Sequence, residues 1–198
     1  MFATFFRLGY HHLTEAGAWD HQLFLLTIAL AYQPALWRKW ILLATVFALG
    51  HTTALALAAA GAVPPVLTWV EPAIAGSIVA LALVDLGFLL VDPYLLRFRK
   101  TRARATATLV LAFGIVHGLG FAGGFTAVLV GDESAGTLAG MLAAFTLGVE
   151  TAQVVMLLAI WIVSYVVLEM MQLRPMAIRR SALVAVVLAG TWILVAPG

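Results

Sequence analysis

Long apolar runs separated by short polar breaks constrain this 198-residue chain more than any other feature. Hydrophobic residues make up 64% of the chain and charged residues only 10%, whereas a soluble domain carries about 25% charged residues. A chain with so few charges cannot cover an apolar core with a polar surface in water. We therefore expect an all-α protein, a polytopic helix bundle that forms a single integral membrane domain over residues 1–198 and contacts the lipid bilayer.

Six apolar runs are interpreted as membrane-spanning helices, because a helix needs about 20 mostly apolar residues to cross a bilayer. Residues 1–18 lack the early basic region, the apolar run and the cleavage site of a signal peptide. We expect this segment to form an amphipathic lead-in outside the cytoplasm. The six expected spans cover residues 19–36, 39–60, 68–94, 106–130, 136–168 and 181–196.

The basic residues favour one orientation of this bundle. All of the 11 Lys and Arg residues except Arg7 lie in the first, third and fifth connections between spans. Six spans place these three connections on one side of the membrane, and basic connections stay in the cytoplasm. Both termini are therefore expected on the extracytoplasmic side. Since the basic residues sit in short connections, no nucleic-acid partner is expected.

Ionisable side chains inside the expected spans are the main candidates for function, because charge in lipid is costly and usually marks a site or a pathway. His51, His117 and Glu150 lie at similar depths on three different expected spans, and Asp20 and His21 lie at the start of a fourth. Imidazole and carboxylate together suit a borderline divalent cation such as Ni²⁺, Co²⁺ or Zn²⁺. The chain has no cysteine, which excludes thiolate ligands.

Polar residues near these candidates could hold the ligands in place or line a pathway. Thr146 and Gln153 share one helix face with Glu150, at the spacing i, i+4, i+7. Thr52 directly follows His51 and could support it in the same way. These three polar side chains are therefore candidate supports of a metal site.

Several of these residues also have structural alternatives. Asp20 could simply cap the first expected span. His117 lies beside a glycine-rich stretch, where it could hydrogen-bond two closely packed helices together. Asp85, near the middle of the third expected span, could pair with a neighbouring helix or carry protons.

Five stretches in series resemble the signature blocks of the HupE/UreJ family. This family comprises small bacterial membrane proteins associated with hydrogenase and urease maturation and regarded as nickel or cobalt permeases. The resemblance implies metal ligands at the matching positions His12, Asp20, His21, His51, His117 and Glu150, with His11 as the alternative to His12. The five stretches lie within residues 9–155 and read "GYHHLTEAGAWDHQLFLL", "FALGHTTALALAA", "VEPAIAGSIVA", "FGIVHGLGFAGGF" and "AFTLGVETAQ".

These observations together predict a permease for a divalent transition metal, with Ni²⁺ as the first choice and Co²⁺ as the second, in the inner membrane of a bacterium. Two alternatives stay open. An integral-membrane zinc hydrolase could use the same His/Glu cluster to activate water. An accessory protein could bind the metal without transporting it. An enzyme is the less favoured alternative, and both a monomer and a homo-oligomer are compatible with the sequence.

Overall fold

The computed structural model describes residues 1–64, 67–91, 98–129, 134–167 and 175–195. All regular structure in these ranges is helical, and no β-strand occurs in them. The all-α prediction is therefore confirmed. The α-helices are α1 (Phe2–Thr14), α2 (Trp19–Ala31), α3 (Trp37–Ala59), α4 (Val70–Val91), α5 (Arg99–Ala127), α6 (Ala135–Tyr165) and α7 (Pro175–Val195).

Five of these helices, α3 to α7, are long and apolar enough to cross a membrane. A sixth span is not confirmed, because α2 has only 13 residues and is therefore about 18 Å long. The expected span 19–36 is broken at Gln33, whose extended backbone (ψ 150°) is typical of a residue before proline. The chain then passes through a 3₁₀ turn, Pro34–Leu36, directly into α3.

Two helices begin earlier than the sequence indicated. α5 begins at Arg99 rather than near residue 106, and α7 begins at Pro175 rather than near residue 181. Basic residues assigned to connections thus form the first turns of helices, where their side chains can reach neighbouring helices. The expected ends of spans at residues 94, 130, 168 and 196 lie outside the described residues.

The first helix is part of the bundle. α1 runs antiparallel to α6, with Gly9 facing Phe145 and Gly148 facing Phe6. A methyl group on either glycine would overlap a backbone carbonyl oxygen of the other helix. Small residues allow this close approach of helices. The segment expected as a lead-in thus lies directly against a long apolar helix.

A second close contact joins α3 and α5, which run parallel. A methyl group on Gly114 would overlap the carbonyl oxygen of Phe47, and one on Gly118 would overlap that of His51. The backbones of the two helices therefore touch beside His51 and His117. Both histidines are consequently held at the same level of the bundle.

The short helix α2 lies inside the bundle, where it contacts α3, α4, α6 and α7. It starts beside the histidines and ends where α3, α5 and α7 begin. We call the region where α2 ends the basic end of the bundle, because all described Lys and Arg residues except Arg7 lie there. The buried residues of α2 are His21, Phe24, Leu25, Thr27, Ile28, Ala29 and Ala31.

We predict that Gly148→Ala lowers the thermal midpoint of the purified protein in detergent. Alanine favours a helix over glycine by about 0.5–1 kcal/mol, but overpacking against the Phe6 carbonyl costs about 1–3 kcal/mol. Gly140→Ala on the same helix is the control, because nothing lies within 4 Å of its added methyl group. Equal midpoints for the two variants would contradict the close packing of α1 on α6.

Candidate metal centre

Four imidazole rings from four different helices lie together in the half of the bundle away from the basic end. His12 comes from α1, His21 from α2, His51 from α3 and His117 from α5. The ring centroids are 4.7 Å apart for His12–His21, 5.4 Å for His12–His51 and 4.5 Å for His21–His117. The residues His21, His51 and His117 are only 2%, 1% and 2% exposed. The fold thus gathers four imidazole rings in its interior.

The carboxylate of Asp20 links two of these rings. Its Oδ1 atom lies 2.9 Å from Nδ1 of His21, and its Oδ2 atom lies 3.0 Å from Nε2 of His117. Oδ1 also accepts the backbone N–H of His21 at 2.8 Å. A carboxylate that binds one ring nitrogen fixes the orientation of the ring and leaves the other nitrogen for a metal. The N-cap residue of α2 is Ala18, without a side-chain cap, and Asp20 instead lies in the first turn and holds two imidazole rings.

Several ring nitrogens are buried without a hydrogen-bond partner in the described part of the chain. They are Nε2 of His12, Nε2 of His21, both ring nitrogens of His51 and Nδ1 of His117. Burying a polar atom without a partner is costly, so this arrangement indicates a ligand. Donor atoms of His12, His21 and His51 all lie within 4.8 Å of one another, as do those of Asp20, His21 and His117. The two groups share His21.

Phenylalanine rings line the four imidazoles. Phe121 lies 4.0 Å from His12 and Phe113 lies 4.2 Å from His117, measured between ring centroids. Phe47 contacts the rings of His21, His51 and His117 at 5.5–5.9 Å. These apolar rings lower the local polarity around the imidazoles, which strengthens electrostatic interactions there.

Two site residues lie on α1 and α2, outside the five candidate spans, and their surroundings shift their pKa values. Burial, assisted by the neighbouring His21 and His117, lowers the pKa of His12 to about 3. This ring is therefore neutral near pH 7 and keeps a nitrogen lone pair for a metal. Burial alone would raise the pKa of Asp20, but hydrogen bonds from His117 and His21 outweigh it and hold that pKa well below its usual range.

Asp20 also connects the cluster to the surface. Its side chain is 30% exposed, and it lines a groove of about 460 Å³. The groove lies between the start of α2, the start of α4 and the end of α7, and it contains a second carboxylate, Glu71. A cation in this groove would therefore meet Asp20 before the buried imidazoles.

The remaining predicted site residues of α6 are Thr146, Glu150 and Gln153. Glu150 is half-buried and belongs to neither group of close donor atoms among the described residues. Thr146 donates to the carbonyl of Leu142 at 2.7 Å and is hydrogen-bonded to Thr52, which ties α6 to α3. Gln153 is buried, and neither atom of its amide has a partner in the described residues.

His11 and Asp85 lie apart from the cluster. His11 is exposed on α1 and contacts the ring of Tyr10, so His12 is the histidine of this pair that faces the other ligands. Asp85 is buried nearer the basic end, where it forms an ion pair with Arg102. Of its two predicted alternatives, the structure displays pairing with a neighbouring helix.

Sequence reasoning missed the phenylalanine walls and the buried arginines. The sequence does contain a pattern that predicts the phenylalanine walls. Phe47 precedes His51 by four residues and Phe121 follows His117 by four, which places each pair on one helix face. The sequence pattern predicts Arg102 and Arg179 in the basic connections between spans. Their burial follows from the earlier starts of α5 and α7.

The fold and site define a multi-pass helical membrane protein with a buried histidine–aspartate cluster suited to a divalent metal. The sequence model of the HupE / UreJ protein family matches residues 1–196. The chain therefore belongs to the HupE/UreJ family, which confirms the predicted resemblance and supports a connection to nickel or cobalt. No curated protein and no solved structure showed significant similarity to the chain.

We predict that His12→Ala weakens Ni²⁺ binding to the purified protein by at least about 10- to 100-fold, the loss typical even of outer partners of a metal site. His11→Ala is the matched control, since this adjacent histidine is exposed, and it should bind as the unaltered protein does. Isothermal titration calorimetry in detergent measures both. Similar losses of Ni²⁺ affinity in the two variants would rule out the assignment of His12 as a metal ligand.

Proposed function

We propose that this protein is a permease that carries a divalent transition metal, Ni²⁺ first and Co²⁺ next, across the membrane. The ion binds to His12, Asp20, His21, His51 and His117. The observation that supports this proposal is the set of buried, unpartnered imidazole nitrogens from four helices. Family membership supports the choice of nickel or cobalt.

The proposed path begins in the groove that Asp20 and Glu71 line. The carboxylate of Asp20 attracts the hydrated cation and compensates part of its charge, which lowers the cost of leaving water. The ion then exchanges its water for imidazole nitrogens. His21 belongs to both groups of close donors, so its ring lies beside the Asp20–His117 pair and beside the His12–His51 pair and offers the ion a nitrogen in either group.

The second half of the path follows α6 toward the basic end. Glu150 and Gln153 come after Phe145, which lies against the histidines, and they lead away from the cluster. Gln153 offers a buried amide oxygen without a partner in the described residues, and Glu150 offers a negative charge. We place these two residues in the step in which the ion leaves the imidazoles.

Uptake of radioactive Ni²⁺ into proteoliposomes tests the proposal. His51→Ala should abolish uptake because it removes a ligand from the centre. Glu150→Gln should keep Ni²⁺ binding but slow uptake, because it removes the charge that receives the ion. The control is Glu15→Gln, which changes an exposed acid between α1 and α2 and should leave uptake unchanged.

The outcomes separate the permease from the two alternatives. Tight Ni²⁺ binding without uptake would overturn transport and favour a metal-binding accessory protein. Stoichiometric Zn²⁺ after gentle purification, together with metal-dependent hydrolysis of lipid, would favour an enzyme. Uptake that His51→Ala leaves intact would overturn the site itself.

A further inference from the structure

A second buried polar cluster lies at the opposite end of α2 from the metal centre. Arg179 donates from Nε to the carbonyl of Leu30 at 2.8 Å and from Nη2 to that of Ala31 at 2.7 Å. Arg102 also donates to the carbonyl of Ala31. The last carbonyls of a helix have no partner within the helix. Two arginines from α5 and α7 therefore cap α2.

Asp85 completes this cluster from a further helix, α4. Its Oδ1 atom lies 3.1 Å from Nε and 3.0 Å from Nη2 of Arg102. Asp85, Arg102 and Arg179 are all buried. Two positive charges face one carboxylate, and the negative end of the α2 dipole supplies part of the missing compensation. The arginines thus have a strong electrostatic reason to stay against the end of α2.

Helix α2 connects this charge cluster to the metal centre. Asp20 and His21 lie in its first turn, and Ala31 is its last residue. The distance along the helix from His21 to Ala31 is about 15 Å. α2 is one continuous helix from Trp19 to Ala31, so a rigid-body shift of its end at the arginines would also shift Asp20 and His21.

The same cluster lies at the basic end, toward which the proposed path along α6 leads. Arg102 and Arg179 present positive charge at the basic end, which repels a divalent cation. A movement of α2 away from the two guanidinium groups would alter this electrostatic barrier. This movement would also pull Asp20 and His21 away from His12 and His51.

We propose that Arg102 and Arg179 are positioning residues of the metal centre, and that release of α2 from these arginines opens the path and dismantles the site in one movement. The inference rests on the proposed function. It adds that metal affinity depends on residues about 15 Å from the ligands. It also explains why a helix that carries two ligands ends on two buried cations.

The first test measures Ni²⁺ affinity of the full chain in detergent by calorimetry. Arg179→Gln should weaken binding by about 5- to 150-fold, the usual range for coupled sites. Arg179→Lys should restore part of it, because an ammonium group can still donate to carbonyl oxygens. Arg104→Gln is the control, since Arg104 is exposed and lies two residues from Arg102. Should Arg179→Gln fail to fold, Asp85→Asn perturbs the same cluster and should weaken binding likewise.

The second test follows α2 directly and separates positioning from general stability. The chain has no cysteine, so Thr27→Cys introduces a single thiol into α2. Thr27 is fully buried and bonds to Leu23 of its own helix. Ni²⁺ should slow labelling of this thiol by a membrane-permeant maleimide, and adding Arg179→Gln should remove most of the slowing.

The results distinguish this inference from the proposed function. Unaltered Ni²⁺ affinity and unaltered protection of the Thr27→Cys thiol in the arginine variants would overturn the inference and leave the metal site standing. A lower thermal midpoint with unchanged affinity would assign a merely structural role to the arginines and also overturn it. Failure of the unaltered protein to bind Ni²⁺ would overturn both.

Discussion

Direct contact between helix backbones is the constraint on which the rest of this structure depends. α1 meets α6 and α3 meets α5 at glycines, where a single added methyl group would overlap a carbonyl oxygen. Lipid offers no hydrophobic drive for helices to associate, so close van der Waals packing has to supply the attraction. The same close packing brings the histidines on α1, α3 and α5 beside His21 of α2. The packing of the bundle and the geometry of the candidate metal centre therefore rest on the same small residues.

The second organising feature is the position of buried charged groups at the two ends of α2. One end carries Asp20, which holds two imidazoles by hydrogen bonds. The other end meets Arg102 and Arg179, whose donors occupy the last carbonyls of the helix. Buried charge is tolerated only when it is paired or bound to a ligand. The two ends of α2 satisfy this rule in different ways. At one end Arg102 pairs with Asp85, and at the other end Asp20 is hydrogen-bonded to imidazoles that keep nitrogens for a metal.

Much of the candidate site was predictable because its residues are chemically conspicuous. Histidines and carboxylates within apolar runs are rare, so His51 and His117 could be selected from residue type and position in the chain alone. The choice between His11 and His12 could not be made in this way, since adjacent residues on a helix point about 100° apart. The packing of α1 on α6 makes that choice. Likewise, Arg102 looked like part of a basic connection, and only the early start of α5 places it inside the bundle beside Asp85.

The sequence by itself determined that this chain is an all-helical membrane protein of the HupE/UreJ family, because apolar length and a series of motifs are properties of the chain order alone. Only the tertiary structure decided which donors meet. It places Asp20 between His21 and His117 and leaves Glu150 outside the groups of close donors in the described residues. The physical reason is that contacts between residues almost 100 positions apart depend on how helices cross and rotate. The crossing angles and rotations of the helices are determined by packing rather than by the spacing of residues along any one helix.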